Sequence, residues 1–163
     1  MDLSVKQNTL LMVRALYFCL EEGWAKIGKT FDLTPAQQHI LFLLSTNNKS
    51  LSPTRISDLG CWHLSTVTRL VRPLESKGYI LITTDQSRAR YKKVTITNEG
   101  MAILMRIVES VKKVDNFPLN LSHLSNEEIN QFINIGKKIL EIHKGEDFKL
   151  KVLEAKLEGL DYA

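Results

Sequence analysis

The sequence contains little cysteine: Cys19 and Cys61 are the only two in 163 residues. Two isolated cysteines provide neither a disulfide framework nor a paired metal-binding motif, so we expect free thiols in a reducing cytoplasm. Glu21 and Glu22 stand close to Cys19 in sequence, and negative charge disfavours a reactive thiolate. We therefore expect Cys19 to be a buried structural residue rather than a redox sensor.

Long apolar segments are also missing. Charged residues interrupt the apolar ones at the N-terminus, and no uncharged run approaches the length that spans a membrane. We therefore expect a cytoplasmic protein without a signal peptide and without a membrane partner.

The motifs of common enzymes are absent as well. The sequence has no glycine-rich phosphate loop and no nucleophile elbow, so neither an enzyme nor a cofactor is predicted. His39, Cys61 and His63 could be imagined as metal ligands, but their spacing matches no common zinc motif. We expect packing or helix-capping roles for these histidines and no metal.

The composition, with 44% hydrophobic and 25% charged residues, is that of a globular protein with a substantial core. Helical periodicity predicts a long first helix over about residues 4–28, and Thr34-Pro35-Ala36-Gln37 is a capping box that starts a second. Ser52-Pro53 starts a short third helix that Gly60 ends. Alternating β-branched and aromatic residues then predict a hairpin with strands at 79–84 and 91–96.

Apolar stripes at helical spacing continue after the hairpin. They occupy residues 101–111 and 129–140. Gly145 is expected to interrupt the helix, and leucines at 150–160 then continue with a spacing typical of coiled coils. These stripes could equally belong to a monomer core or to a dimer interface. Because they exceed what a compact three-helix unit needs, dimerisation is favoured.

The segment from His63 to Lys77 predicts a helix with two different faces. Its apolar residues gather on one side of a helical wheel. The opposite side carries hydroxyls and guanidinium groups and no acid before Glu75, namely Ser65, Thr66, Thr68, Arg69, Arg72 and Ser76. Arginine can bind guanine with two hydrogen bonds, and short hydroxyls can reach bases or phosphates, so this face is suited to a DNA major groove.

Positive charge is concentrated around this helix. From Arg55 to Lys93 there are eight basic and three acidic residues, whereas the rest of the chain has 14 basic and 15 acidic residues. The charge lies where a polyanion would bind, on a short helix, a turn, the two-faced helix and a basic hairpin.

These segments resemble the MarR family of bacterial regulators. The stretch STVTRLVRPLESKGYI is similar to the family's recognition helix and first wing strand, and TITNEG to its junction between strand and helix. The stretches LGCWHLST and GYI resemble the Hpr (ScoC) branch of that family. The family usually has an aspartate where Arg88 stands, and that aspartate helps to hold the wing. In this sequence Asp85 is the acid that could take its place.

The resemblance implies a mainly α fold with a small β-hairpin wing, a winged helix-turn-helix with long N- and C-terminal dimerisation helices. The implied division is an N-terminal helix at 1–33, a DNA-binding domain at 34–100 and C-terminal helices at 101–163. It implies a homodimeric regulator, expected to be a repressor, on a palindromic double-stranded DNA site. The resemblance also implies a small aromatic molecule as an effector ligand.

The predicted DNA contacts fall into two groups. In the recognition helix and its start they are His63, Ser65, Thr66, Thr68, Arg69 and Arg72. In the wing they are Arg88, Arg90 and Lys92, where Arg90 matches the arginine that the family places in the minor groove. The alternative is a winged-helix module that binds an acidic protein surface, because the charge concentration fits both functions.

Overall fold

The computed structural model describes residues 2–84, 92–157 and 160, and the predicted contacts Arg88 and Arg90 lie outside these residues. The fold is mainly helical with a small antiparallel sheet, as predicted. In chain order the elements are α1 (Leu3–Phe31), α2 (Pro35–Thr46), β1 (Ser50–Leu51), α3 (Pro53–Gly60), α4 (Leu64–Ser76), β2 (Ile80–Thr84), β3 (Lys92–Ile96), α5 (Asn98–Lys112) and α6 (Asn126–Phe148). None of the described helices is long and apolar enough to cross a membrane.

The helix starts that were predicted from capping residues are confirmed. Thr34 Oγ1 accepts a hydrogen bond from Gln37 N (3.3 Å), and Thr34 N donates to Gln37 Oε1 (2.9 Å). Ser52 Oγ accepts from Arg55 N at 3.1 Å in the same way. These bonds satisfy amide groups that have no partner within the helix, and so fix where each helix begins.

The sheet has the strand order β1-β3-β2, and both pairings are antiparallel. The hairpin of β2 and β3 was predicted, whereas β1 was not. Ser50 and Thr95 hold β1 to the hairpin through their hydroxyl oxygens, 2.9 Å apart. A two-residue strand is too short to show an alternating pattern, so only its tertiary partner reveals it.

The core is built around α2. Ile40, Leu41 and Leu44 are fully buried there, and residues of α3, α4, the sheet and α5 pack in the same cluster. The buried Gln38 side chain links α2 to α1, donating to Trp24 O at 3.2 Å and to Leu33 O at 3.3 Å. The lobe that carries α3 and α4 is therefore fixed to the end of α1.

Two of the predicted apolar stripes are exposed in the single chain. On α1 the residues before Gly23, among them Leu10 and Val13, lie largely on the surface. On α6 Phe132 is 50% exposed and Ile139 52%. Cys19 is also exposed, so the prediction that it is buried was wrong, because this part of α1 is not covered within the chain.

The end of the chain folds back as a strap, which we define as residues 145–157. Gly145 (φ 79°, ψ 174°) interrupts the helix, a π-helical segment follows at Lys149–Leu153, and the residues after it are not helical. The predicted interruption at Gly145 is confirmed, whereas the predicted coiled-coil-like continuation was wrong for the described residues 150–157. The reason is tertiary: Phe148 packs against Leu43 and Leu59, and Leu157 enters the main core.

Polar contacts also hold the strap to the lobe that contains α2 and α3. Asn47 Nδ2 donates to Lys151 O at 3.3 Å, and Arg55 of α3 forms an ion pair with Asp147. The strap thus joins α6 to α2 and α3 of the same chain.

We predict that Phe148→Ala lowers the free energy of unfolding by about 3 kcal/mol, because its ring is 8% exposed and its removal leaves a cavity. Urea denaturation at one fixed protein concentration measures this. Leu150→Ala is the matched control, since Leu150 lies in the same strap and is exposed. Equal stability of the two variants would contradict the packing role of Phe148.

Candidate nucleic-acid interface

Helix α4 buries one side and exposes the other, as its sequence predicted. Val67, Val71 and Leu74 are buried in the core. Ser65, Thr68, Arg69 and Arg72 are exposed, and we call these four residues the recognition face. Thr66 is half-buried at its margin. The first turn of α4 contains no acidic residue, so nothing in it repels an approaching phosphate.

The start of α4 is open. His63 occupies the N-cap position in an extended conformation (φ −69°, ψ 146°), and its side chain makes no capping hydrogen bond. His63 itself is exposed. An N-terminus without a side-chain cap leaves first-turn amides able to bind an anion, which suits a helix end directed toward a DNA backbone.

The turn between α3 and α4 departs from the predicted one. Gly60 remains helical and Cys61 takes the left-handed conformation (φ 58°) that ends α3. Glycine is needed at position 60 because a Cβ there would lie 2.2 Å from the Trp62 ring. The turn is therefore set by the packing of Trp62 rather than by a glycine cap.

The hydroxyls of the recognition helix are not equivalent. Thr68 Oγ1 donates to Leu64 O at 3.1 Å, and Ser76 Oγ donates to Arg72 O at 3.0 Å. Their hydrogens are thus used within the helix, and Thr68 is left to accept a hydrogen bond from a ligand. The Ser65 hydroxyl forms no hydrogen bond with another residue of the described chain, so it can both donate and accept.

Glu75 holds the wing against α4. Its Oε1 accepts a hydrogen bond from Ile82 N at 3.1 Å. Strand β2 is an edge strand that pairs with β3 on one side, and Glu75 satisfies an amide on its other side. The acid at the end of the recognition helix is therefore occupied with positioning the hairpin.

The structure separates paired cations from unpaired ones. Lys77 Nζ lies 2.6 Å from Asp32 Oδ2, and Arg55 pairs with Asp147. Within residues 2–84, 92–157 and 160, neither Arg69 nor Arg72 forms a salt bridge. Two of the eight cations counted in this region are thus neutralised locally, and those of the recognition face are not.

Lys92 begins β3 and is exposed, opposite Thr84 at the end of β2. Its neighbour Lys93 is also exposed. Both lie at the end of the hairpin next to its tip, so the described part of the wing presents positive charge to solvent.

Sequence reasoning missed Lys144. This residue of α6 lines a concavity of about 270 Å³ together with Asp58, Cys61 and His63, at the start of the recognition helix. No sequence signal links a residue of α6 to the turn between α3 and α4, because the two meet only through the fold.

In the described part of the chain, no group of His, Cys, Asp and Glu side chains could hold a metal ion. His39 packs instead, with its ring centroid 5.4 Å from that of Trp62.

Helices α3 and α4, the turn between them and the hairpin that follows define a winged helix-turn-helix protein. Residues 33–89 match the model of the MarR family. Over this segment, which contains α2, α3, α4 and β2, the chain is similar to the MarR family.

Individual proteins are similar to the chain as well. The chain is 29% identical over 125 residues to the HTH-type transcriptional regulator Hpr of Bacillus cereus, an alignment that covers 73% of this chain and 67% of Hpr. Its fold is similar to that of a MarR mutant from E. coli solved in complex with operator DNA (TM-score 0.71, 20% identity, 86% of this chain and 99% of the other). It is also similar to the organohalide-sensing regulator RdhR bound to 2,4-dichlorophenol (TM-score 0.74, 15% identity, 98% and 91%).

We predict that Glu75→Ala increases the amide hydrogen-exchange rate of Ile82 about fivefold, because a net contribution of about 1 kcal/mol from its hydrogen bond is lost. Exchange followed by nuclear magnetic resonance measures the rate. The matched control is Ser76→Ala, since Ser76 bonds only within α4. An unchanged Ile82 rate in the Glu75 variant would contradict the proposed link between helix and wing.

Proposed function

We propose that this protein is a sequence-specific double-stranded DNA-binding regulator that acts as a homodimer on a palindromic operator, with repression as its expected mode. The observation that carries the proposal is the recognition face: Arg69 and Arg72 are exposed on an acid-free helix side whose opposite side is buried. Free guanidinium groups beside a hydroxyl that can donate and accept match the hydrogen-bonding pattern of a major groove.

The residues have distinct proposed roles. Arg69 and Arg72 contact guanine or phosphate, and Ser65, Thr66 and Thr68 contact bases or the backbone next to them. His63 and Lys144 contact phosphates at the start of the helix. In the wing, Lys92, Arg88 and Arg90 contact the neighbouring minor groove and backbone, which follows from the charge of the hairpin and from the family resemblance.

The second candidate is a module that binds an acidic protein surface. It shares the charge concentration, but it gives no reason for hydroxyls beside unpaired arginines. Selection from a pool of random duplexes separates the two functions, because a protein-binding module enriches no sequence, whereas the proposed regulator enriches one.

We predict that Arg69→Ala weakens binding to the selected duplex by about 1–3 kcal/mol, because a bidentate contact to a base or a phosphate is lost. Mobility-shift titration at fixed salt concentration measures the affinity. The matched control is Arg106→Ala on α5, whose guanidinium lies over the Phe31 ring, away from the recognition face. Equal affinity of wild type and Arg69→Ala would remove Arg69 from the interface.

The proposed dimer rests on the apolar residues that the single chain leaves uncovered. They belong to α1 and α6, and they include Leu10, Leu11, Val13, Tyr17 and Phe18 on α1 and Phe132, Ile133, Ile135, Ile139 and Ile142 on α6. Exposed large apolar residues in this number on two helices mark an association surface. A twofold-symmetric dimer presents two recognition helices, which explains why a palindromic site is expected.

We predict that Phe132→Glu converts the dimer to a monomer, because a carboxylate would be buried in the interface without a partner. Size-exclusion chromatography with light scattering measures the mass. The control is Leu81→Glu, since Leu81 is similarly exposed but lies on β2, outside this surface. A wild-type protein that is monomeric at micromolar concentration would contradict the proposal, as would a Phe132→Glu variant that remains dimeric.

We further propose that a small aromatic acid binds in a cavity of about 800 Å³ between α1 and the segment that joins α5 to α6. Leu16, Ile27, Val114 and Phe117 are among the apolar residues that line it. Lys26 also lines it and pairs with Glu22 Oε1 at 2.8 Å, so a ligand carboxylate would have to displace Glu22 to bind this cation. The volume falls in the range of small-molecule sites.

We predict that salicylate, used as a probe, produces saturable heat in a calorimetric titration of the wild-type protein and none in Gly23→Leu. A Cβ at Gly23 would already stand 3.7 Å from the Phe117 ring, so a leucine fills the cavity. Gly136→Leu is the control, because nothing lies within 4 Å of its added Cβ. Equal binding by Gly23→Leu would place the probe elsewhere.

A further inference from the structure

Leu64, the first residue of α4, is an exception among the apolar residues of the recognition helix. Its side chain is 48% exposed, whereas Val67, Val71 and Leu74 are buried. Single exposed leucines are common on protein surfaces and by themselves carry no meaning. This one is distinguished by its position, because it stands between His63 and Ser65 at the helix end that the proposed function directs into DNA.

The local structure keeps this end of the helix accessible. His63 does not fold its side chain over the first turn as a cap, and Ser65 is exposed beside Leu64. In helix-turn-helix proteins the N-terminal residues of the recognition helix approach base edges most closely. Leu64 therefore projects an aliphatic side chain from the part of the helix that would lie deepest in the groove.

Thr68, the polar residue on the same side of the helix as Leu64, is restricted in what it can donate. Thr68 lies one turn further along the same side of the helix, and its hydroxyl hydrogen is bound to Leu64 O at 3.1 Å. Thr68 therefore cannot donate to a base while this bond is kept. On the side of the helix that Leu64 and Thr68 share, an apolar contact to a base is therefore available, beside the polar contacts that Ser65 can make.

We propose that Leu64 is a specificity-determining residue that contacts the C5-methyl group of a thymine in each half-site. The proposal rests on the proposed DNA-binding function and extends it. Thymine is selected because its methyl is the apolar group that a base pair presents in the major groove, and cytosine at the same position lacks it. Contact between the leucine and the methyl removes apolar surface of both from water, which is favourable without any hydrogen bond.

The experiment replaces thymine by deoxyuridine, which lacks the methyl and retains the hydrogen-bonding groups. A duplex selected from a random pool by the wild-type protein is resynthesised with one dT→dU exchange at a time. At one thymine of a half-site we expect about a fourfold loss of affinity, the effect of about 0.8 kcal/mol for one buried carbon group. Leu64→Ala should bind the dT and dU duplexes equally well. Leu81→Ala, a matched change at an exposed leucine of β2, should keep the wild-type difference.

The possible outcomes distinguish failure of the Leu64 proposal from failure of the proposed DNA-binding function. If the wild-type protein selects no duplex, the proposed function itself fails. If it selects one but no dT→dU exchange weakens binding, the proposed role of Leu64 fails while DNA binding stands. The wild-type protein alone is enough to obtain this result. A loss on deoxyuridine that persists in Leu64→Ala would assign the methyl contact to another residue and overturn the proposal. Leu64→Met, which keeps an aliphatic side chain, should retain sensitivity to the methyl.

Discussion

The packing of α4 against α2 is the constraint on which the rest of this structure depends. Val67, Val71 and Leu74 enter the core that α2 centres, and their burial fixes the rotation of α4 about its own axis. A helix rotated by one residue would turn about 100°, bury a guanidinium and expose an aliphatic side chain. The hydrophobic effect thus determines which side of α4 faces solvent, and the polar chemistry of the recognition face follows from it.

Ion pairs within the chain then determine which cations near the recognition face are free to bind a ligand. The basic residues of this region divide into those that hold the fold together and those left for a ligand. Lys77 binds the turn after α1, and Arg55 binds the strap, so both have structural partners. Glu75 is engaged with the edge of β2 and does not compete for the arginines of the recognition face. The count of charges along the sequence therefore overstates the number of cations that are free of local partners.

The C-terminal strap gives this lobe a second attachment to the helices that are proposed to dimerise. Gln38 ties α2 to α1, and Phe148 and Asn47 tie α2 to the end of α6. If α1 and α6 associate with a second copy, both ends of each lobe are anchored to the dimer. The separation of the two recognition helices would then be set by packed side chains and not by flexible linkers, as recognition of two half-sites at fixed spacing requires.

The sequence by itself determined the helices that begin with capping boxes, the hairpin strands and the two faces of α4, because capping and periodicity act over a few residues. It also placed Ser65, Arg69 and Arg72 on one exposed side. Only the tertiary structure decided that β1 joins the sheet, that Cys61 rather than Gly60 takes the left-handed turn, and that Lys144 reaches the start of α4. It likewise decided that residues 150–157 pack onto their own lobe, against the prediction of a coiled-coil-like continuation after Gly145. Each of these features depends on contacts between residues that are distant in sequence. Such contacts produce no periodic pattern of residue types along the chain, so they cannot be read from it.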